Sequence, residues 1–246
     1  MEASSKPAAD PLAEALKENE ALRNSLDAAN RELQHFVYAA SHDLQEPLRA
    51  VLTYTQLLER RFADDEEARE FASYAAGGAK RMNALLQNLV SYSRAGSSNR
   101  RGAIKLNAPL QWALLKLADT VRESGAKIRH GELPEAYADE AEIAQVFEHL
   151  VSNAIRFQKD GQPEIEIAAE EGSEECTIAV HDNGPGIGAA FHQDVFLPFK
   201  RLHDKGVAGS GLGLAICLKI VRAHAGRIWI ESDGRHGTTV KFTLPQ

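Results

Sequence analysis

Apolar residues recur along the first part of the chain with the spacing of a long helix built to pair. Leu12, Asn19, Leu26, Leu33 and Ala40 share one heptad register, and Ala15, Leu22, Ala29 and Phe36 occupy the interleaved one. Seam positions spaced in this way wind helices around each other. Asn19 interrupts the seam as a polar insertion of the kind that sets register or strand number at a cost in stability. Residues 1–9 are small and polar and read as a disordered lead. Asp10 and Pro11 then mark a helix start, the aspartate at the N-cap and the proline where its missing N–H costs nothing. A lone amphipathic helix folded back on its own domain would use the same few heptads, but a coiled-coil dimer is favoured.

The same helix is expected to run to about residue 62, followed by an acidic turn over 63–67 and a second amphipathic helix over 68–94. Two long helices joined by a short turn make an antiparallel hairpin. Leu44, Leu48, Val51 and Leu58 on one arm, with Phe71, Ala75, Met82, Leu85 and Leu89 on the other, are more apolar surface than one hairpin can bury. Two hairpins paired into a four-helix bundle would bury it. Residues 10–94 are therefore assigned to the coiled coil and hairpin.

Residues 95–102 (AGSSNRRG) have linker chemistry. From 103 to 246 helical patterns at 109–122, 140–158 and 211–225 alternate with strand-like runs at 164–169, 176–181, 227–232 and 238–244. That order predicts a two-layer α/β sandwich, and an α+β class for the whole chain.

Composition acts mainly by exclusion. With 246 residues, 43% hydrophobic and 26% charged, the chain is long enough for two small domains. A formal net charge of -7 argues against a nucleic-acid partner, because phosphate backbones attract basic surfaces. Cys176 and Cys217 lie in apolar stretches without metal-ligand spacing, so neither a disulfide framework nor a zinc site is expected, and a reducing cytoplasm fits. No run approaches the roughly 18 continuous apolar residues of a membrane-spanning helix, and the amino terminus has no apolar signal core, so direct membrane insertion is not expected. An upstream sensor module is expected outside this chain or on a separate protein.

Three segments bear chemistry. At about 100° per residue, Leu33, Val37, Ala40, Leu44, Leu48, Val51 and Leu58 form one stripe of the first helix and His42 faces nearly opposite. An exposed imidazole keeps a neutral nitrogen near pH 7 and can act as a nucleophile, with Asp43 beside it to orient it or take its proton. Pro47, which cannot donate to the Asp43 carbonyl, is expected to weaken or bend the helix there. Asp182-Asn183-Gly184-Pro185-Gly186-Ile187-Gly188 follows a strand, placing a carboxylate where it can accept from an exocyclic amine beside glycines that let a flat base approach. A glycine turn steadied by an aspartate is the plainer reading. Gly209-Ser210-Gly211-Leu212-Gly213-Leu214-Ala215 opens a helix, whose free N–H groups suit phosphates, although it has neither a Walker nor a Rossmann context.

Together with two further strings, these segments resemble a known family. Ser41-His42-Asp43-Leu44-Gln45-Glu46-Pro47-Leu48-Arg49 is similar to the phospho-acceptor box of sensor histidine kinases, in the form found in phytochrome-like kinases. Gln145-Val146-Phe147-Glu148-His149-Leu150-Val151-Ser152-Asn153-Ala154-Ile155-Arg156-Phe157 resembles the family's asparagine box, and Val195-Phe196-Leu197-Pro198-Phe199-Lys200-Arg201-Leu202 its phenylalanine box. The two glycine strings resemble the paired boxes of the ATPase superfamily shared by histidine kinases, gyrase, Hsp90 and MutL. The resemblance covers roughly residues 30–246.

The resemblance implies that ATP and Mg²⁺ are bound and that His42, assisted by Asp43, accepts the γ-phosphoryl group and passes it to an aspartate on the receiver domain of a response regulator. It implies a homodimer through the bundle. Asn153 would hold Mg²⁺, Arg156 or Lys159 and Arg201 would meet phosphate, and residues 203–208 would form a lid. Asp182, Gly184, Gly186 and Ile187 would surround the base, and Gly209, Gly211, Leu212 and Gly213 the phosphates. Core packing remains the plainer reading of the aromatics, Phe199 included. Two rivals are weighed: a non-catalytic dimeric adaptor with the same fold, and an ATP-driven clamp or serine kinase built on the same nucleotide fold. Intact glycine strings and a histidine-bearing hairpin speak against them.

The chain departs from the family pattern twice. His149 stands where the first asparagine of the box is usual, with Glu148 beside it, which suggests action through a bridging water or activation by Glu148. Glu46 stands four residues after His42, where relatives that also dephosphorylate their partner have Thr or Asn to position a water. The purified protein is therefore expected not to accelerate dephosphorylation of its partner by that route; a rate loss specific to Glu46→Ala in a partner-dephosphorylation assay would count against this.

Overall fold

The computed structural model describes residues 11–158, 161–202 and 209–246. The expected lead, the Asp10 cap, Lys159 and the lid at 203–208 lie outside the described residues. The chain divides into two compact units, Met1–Ala76 and Gly77–Gln246.

The first unit is built on helix α1 (Pro11–Arg61), which continues through Pro47. Arg60 and Arg61 close it where the helix dipole favours cations, and Glu66 and Glu67 open α2 (Glu66–Arg94) where it favours anions. Helix α2 begins two residues earlier than the apolar pattern suggests, because Asp65 Oδ1 accepts the Ala68 N–H at 3.0 Å and so caps it.

In the second unit, β1 (Gly102–Lys105) pairs antiparallel with β3 (Glu135–Ala138). A five-stranded sheet runs in the order β2 (Lys127–His130), β4 (Glu164–Glu171), β5 (Glu175–Asp182), β7 (Thr238–Pro245), β6 (Ile228–Glu231). The β2–β4 pair is parallel and the rest are antiparallel. Register aligns Ile167, Val180, Val240 and Ile230 in one row across four strands, and Ala169, Ile178, Phe242 and Ile228 in another. Side chains alternate along each strand, so both rows join the core on the face that packs against the helices.

Those helices are α3 (Asn107–Lys116), α5 (Glu140–Phe157) and α6 (Gly213–Ala223), with the short α4 (Ala118–Ser124) after α3. The helix expected over 109–122 is thus two, because Leu117 leaves helical geometry at ψ 5°. The one expected over 211–225 is trimmed at both ends, since Gly211 at φ 71° and Ala225 at φ 58° are left-handed. Strands β1, β2 and β3 were not expected from the pattern. Each has four residues, too few for alternation to stand out from a loop.

Helix α5 is the centre of this layer. Ile143, Val146, Phe147, Leu150, Val151 and Ala154 repeat at helical spacing and are buried, and Phe147 meets the Phe242 ring edge-on with centroids 5.9 Å apart. Asp139 caps it, accepting the Glu142 N–H at 2.9 Å. The segment expected as a linker is tied to the same turn: Gly96 N–H donates to Glu142 Oε1 at 2.8 Å, and the Ser98 hydroxyl to Asp139 Oδ2. Lys219 Nζ reaches the Tyr92 and Ser93 carbonyls at 3.0 and 2.9 Å, satisfying the last turn of α2.

Burial pushes the Asp139 carboxyl up, but the hydrogen bonds from Ser98 and from the Glu142 and Ala141 N–H groups outweigh it and hold the group below its ordinary value. Asp139→Ala is expected to cost about 1–2 kcal/mol in urea unfolding at neutral pH. A depressed carboxyl contributes stability that is full above its unfolded pKa and is lost as the pH falls through its folded one. The gap between variant and wild type should therefore close below the ordinary carboxyl range.

Candidate functional site

Strand β5 turns Cys176, Ile178 and Val180 toward the helices, and the same period of two carries Asp182 to that side at the strand's end, between Ile165 and Thr238. Burial raises the Asp182 carboxyl above its ordinary pKa, against the lowering effect of the Gly184 N–H, which donates to Oδ1 at 2.8 Å. A Cβ on Gly184 would fall 2.7 Å from that oxygen. The loop from Asp182 to Gly188 thus begins with a half-buried carboxyl, held by the Gly184 and Thr238 N–H groups, of the kind that can accept from an amine donor. Asn183 braces it, accepting the Glu164 N–H at 2.9 Å and donating to the Gln162 carbonyl at 3.0 Å.

The second glycine segment lies against α5. No side chain caps α6 at Leu212, so its first N–H groups have no side-chain acceptor, the condition under which a helix start can hold an anion. His149, Asn153 and Arg156 share one stripe of α5 at spacings of four and three. A Cβ on Gly213 would lie 3.5 Å from His149 Nδ1 and 3.7 Å from Asn153 Nδ2, and one on Gly209 would lie 3.2 Å from Arg156 Nη1. Space that side chains would fill is thereby left between an amide, a guanidinium and a helix start. The donor set fits a hard cation with phosphates, since Mg²⁺ takes one or two protein oxygens and retains waters. His149 Nε2 is buried without a hydrogen-bond partner, and burial pushes the imidazole below its ordinary pKa. Glu148 is engaged by Lys116 Nζ at 2.6 Å.

The end of α5 also reaches the first loop, where Gln158 Nε2 donates to the Asn183 carbonyl at 3.0 Å. Both glycine segments therefore meet one helix. Phe199, left-handed at φ 62°, donates its N–H to the Gly211 carbonyl at 2.9 Å. It is 59% exposed, so it is not the core aromatic it was expected to be; Phe196, at 7%, takes that place. Arg201 is exposed two residues further on.

In the first unit the His42 side chain is 70% exposed and its Nδ1 lies 3.5 Å from Asp43 Oδ1, while Ser41 beside it is buried. The sequence reading missed the turn between β6 and β7. Ser232 Oγ accepts the Ile187 N–H at 2.9 Å, and the Gly237 N–H donates to the Gly184 carbonyl at 2.8 Å. Asp233-Gly234 is a hairpin signal, but nothing local connects it to a loop 45 residues away.

Two family models match in tandem: the His Kinase A (phospho-acceptor) domain over residues 32–98, and the histidine kinase-, DNA gyrase B- and HSP90-like ATPase over residues 138–246. The chain belongs to the histidine kinase family. The chain is 40% identical to Cyanobacterial phytochrome A of Nostoc sp. (strain PCC 7120) over 91% of its own length and 30% of that protein's. It is 38% identical to Phytochrome-like protein Cph1 of Synechocystis sp. (strain PCC 6803), with the same coverage. The chain thus spans under a third of these curated relatives. Full-length ShkA in complex with AMPPNP shares the fold, with a TM-score of 0.66 and 22% identity over 85% of this chain and 45% of that one. No helix among the described residues is long and apolar enough to cross a membrane.

The glycine requirement is testable by itself. Gly186 has φ 77°, and a Cβ there would fall 2.6 Å from the Arg235 nitrogen. Gly186→Ala should lower stability by at least about 1 kcal/mol, seen as a lower melting temperature without nucleotide.

Proposed function

We propose that this kinase uses ATP and Mg²⁺ to phosphorylate its own His42 and passes the phosphoryl group to an aspartate on the receiver domain of a response regulator. The observation that carries the proposal is His42 itself, an exposed imidazole within the phospho-acceptor module with a carboxylate beside Nδ1. Asp43 holds the Nδ1 proton and leaves the Nε2 lone pair outward. Nε2 attacks the γ-phosphorus, the bond to the bridging oxygen breaks, and that electron pair leaves with ADP. A carboxylate of the receiver domain then takes the phosphoryl group and frees the imidazole.

In the ATP-binding module, residues 103–246, Asp182 accepts from the adenine amine and Gly184, Gly186 and Ile187 form the face beside the base. Gly209, Gly211, Leu212 and Gly213 present the start of α6 to the phosphates. Arg156, Arg201 and Lys159, the last outside the described residues, offset charge on the moving group, which matters more in phosphoryl transfer than covalent help does. Asn153 supplies the side-chain oxygen for Mg²⁺, which when bound neutralises phosphate charge. The two modules act as a homodimer through the hairpin. Leu22, Leu26, Leu33 and Phe36 on α1 are each more than half exposed in the single chain, surface that pairing into a coiled coil and four-helix bundle would cover.

Incubation with γ-labelled ATP should put an acid-labile, alkali-stable label on the wild-type chain and none on His42→Gln. Asn153→Ala should reduce labelling on the order of 100-fold, while His149→Ala should retain it. Full labelling of His42→Gln would rule the proposal out, and insensitivity of Asn153→Ala would remove the metal role.

A further inference from the structure

We propose that Ser232 is a positioning residue for the nucleotide: through it, the β6–β7 turn holds the Asp182–Gly188 loop in the shape that receives the base. The inference rests on the ATP reading above and adds to it an element that neither the glycine strings nor the acceptor module contains.

A serine hydroxyl has one proton to donate and two lone pairs to accept with. Ser232 uses all three. Its Oγ donates to the Gly237 carbonyl at 2.6 Å, accepts the Ile187 N–H at 2.9 Å and accepts the Gly234 N–H, more weakly, at 3.3 Å. Two of these bonds close the turn on itself, and the third crosses to the loop. A second crossing bond, Gly237 N–H to the Gly184 carbonyl at 2.8 Å, lies three residues away along the loop. The pair brackets residues 184–187, the stretch placed beside the base.

Between the brackets and just beyond them the two backbones touch. A Cβ on Gly186 would stand 2.8 Å from the Gly234 carbonyl carbon, one on Gly234 would stand 3.2 Å from Gly188 Cα, and one on Gly237 would overlap the Asp182 carbonyl at 2.1 Å. The turn is stiffened from its outer side as well. Asp233 Oδ1 accepts the Arg235 and His236 N–H groups at 2.7 and 2.8 Å, and Oδ2 lies 2.7 Å from His236 Nδ1. A turn joined to the loop by hydrogen bonds and by close backbone contact forms its back wall. Without Oγ, the Ile187 N–H and the Gly237 carbonyl lose this partner, and the Ser232–Ile187 bracket opens.

The loop meets the base, whereas the phosphates meet α6, so the two halves of the ligand separate the roles. The full chain and its Ser232→Ala and Ser232→Thr variants would be titrated with ATP and with inorganic tripolyphosphate, with steady-state autophosphorylation and nucleotide-free melting measured alongside. Ser232→Ala is expected to weaken ATP binding about tenfold, to leave tripolyphosphate affinity within about twofold of wild type, and to place its kinetic loss on KM for ATP rather than on kcat. Ser232→Thr, which keeps the hydroxyl, should restore ATP affinity to within about threefold. Equal ATP affinity in Ser232→Ala and wild type would overturn the proposal. So would equal losses for ATP and tripolyphosphate accompanied by a lower melting temperature, because that is the pattern of a serine that only supports folding. A wild-type chain that binds tripolyphosphate but not ATP would instead overturn the reading of the loop as an adenine site.

Discussion

Helix α5 cannot satisfy the core and the site independently, because both are read from one set of angles around one axis. Its apolar stripe, from Ile143 to Ala154, is fixed against the sheet by close packing that leaves little rotational freedom. With that stripe seated, His149, Asn153 and Arg156 face the glycines from Gly209 to Gly213. Asp139 sets where the helix starts, and Gln158 at its other end bonds the Asp182 loop. A rotation of even half a residue would move the amide and guanidinium away from α6 and draw apolar side chains off the sheet.

Glycines do a second job that follows from this arrangement. At Gly213 and Gly209 the missing side chain leaves space against polar groups of α5, whereas at Gly186, Gly234 and Gly237 it lets one backbone lie on another. The first kind creates a cavity and the second removes one. They differ in what a methyl group would hit: the ends of side chains in one case, main-chain atoms in the other. Only the second kind sets one main chain directly against another.

The helical unit follows a different logic. A helix of 51 residues whose Leu22, Leu26, Leu33 and Phe36 are exposed in the single chain has its apolar side directed outward at one level. His42 is exposed at another, while Ser41 next to it is buried. Neighbours along a helix are about 100° apart, so a buried small residue and an exposed imidazole can be adjacent. Under the proposed function this keeps the acceptor in water while the surrounding helix packs.

The amino-acid order by itself determined the long elements and the local chemistry. Heptad spacing in α1, the apolar stripe of α5 and the alternation of β5 and β7 are periodic over enough residues to be read directly, and the face that His42 occupies follows from its angle to the apolar stripe. Short strands such as β1 and β2 carry no such period, and their existence depends on which partner strand lies alongside. Tertiary structure alone decided that Gly96 and Ser98 are held by the first turn of α5, that Phe196 rather than Phe199 enters the core, and that Ser232 braces Ile187. The reason is physical. Periodicity reports how a residue relates to its own element, while a hydrogen bond between residues 45 positions apart exists only after packing has brought two independent turns to the same place.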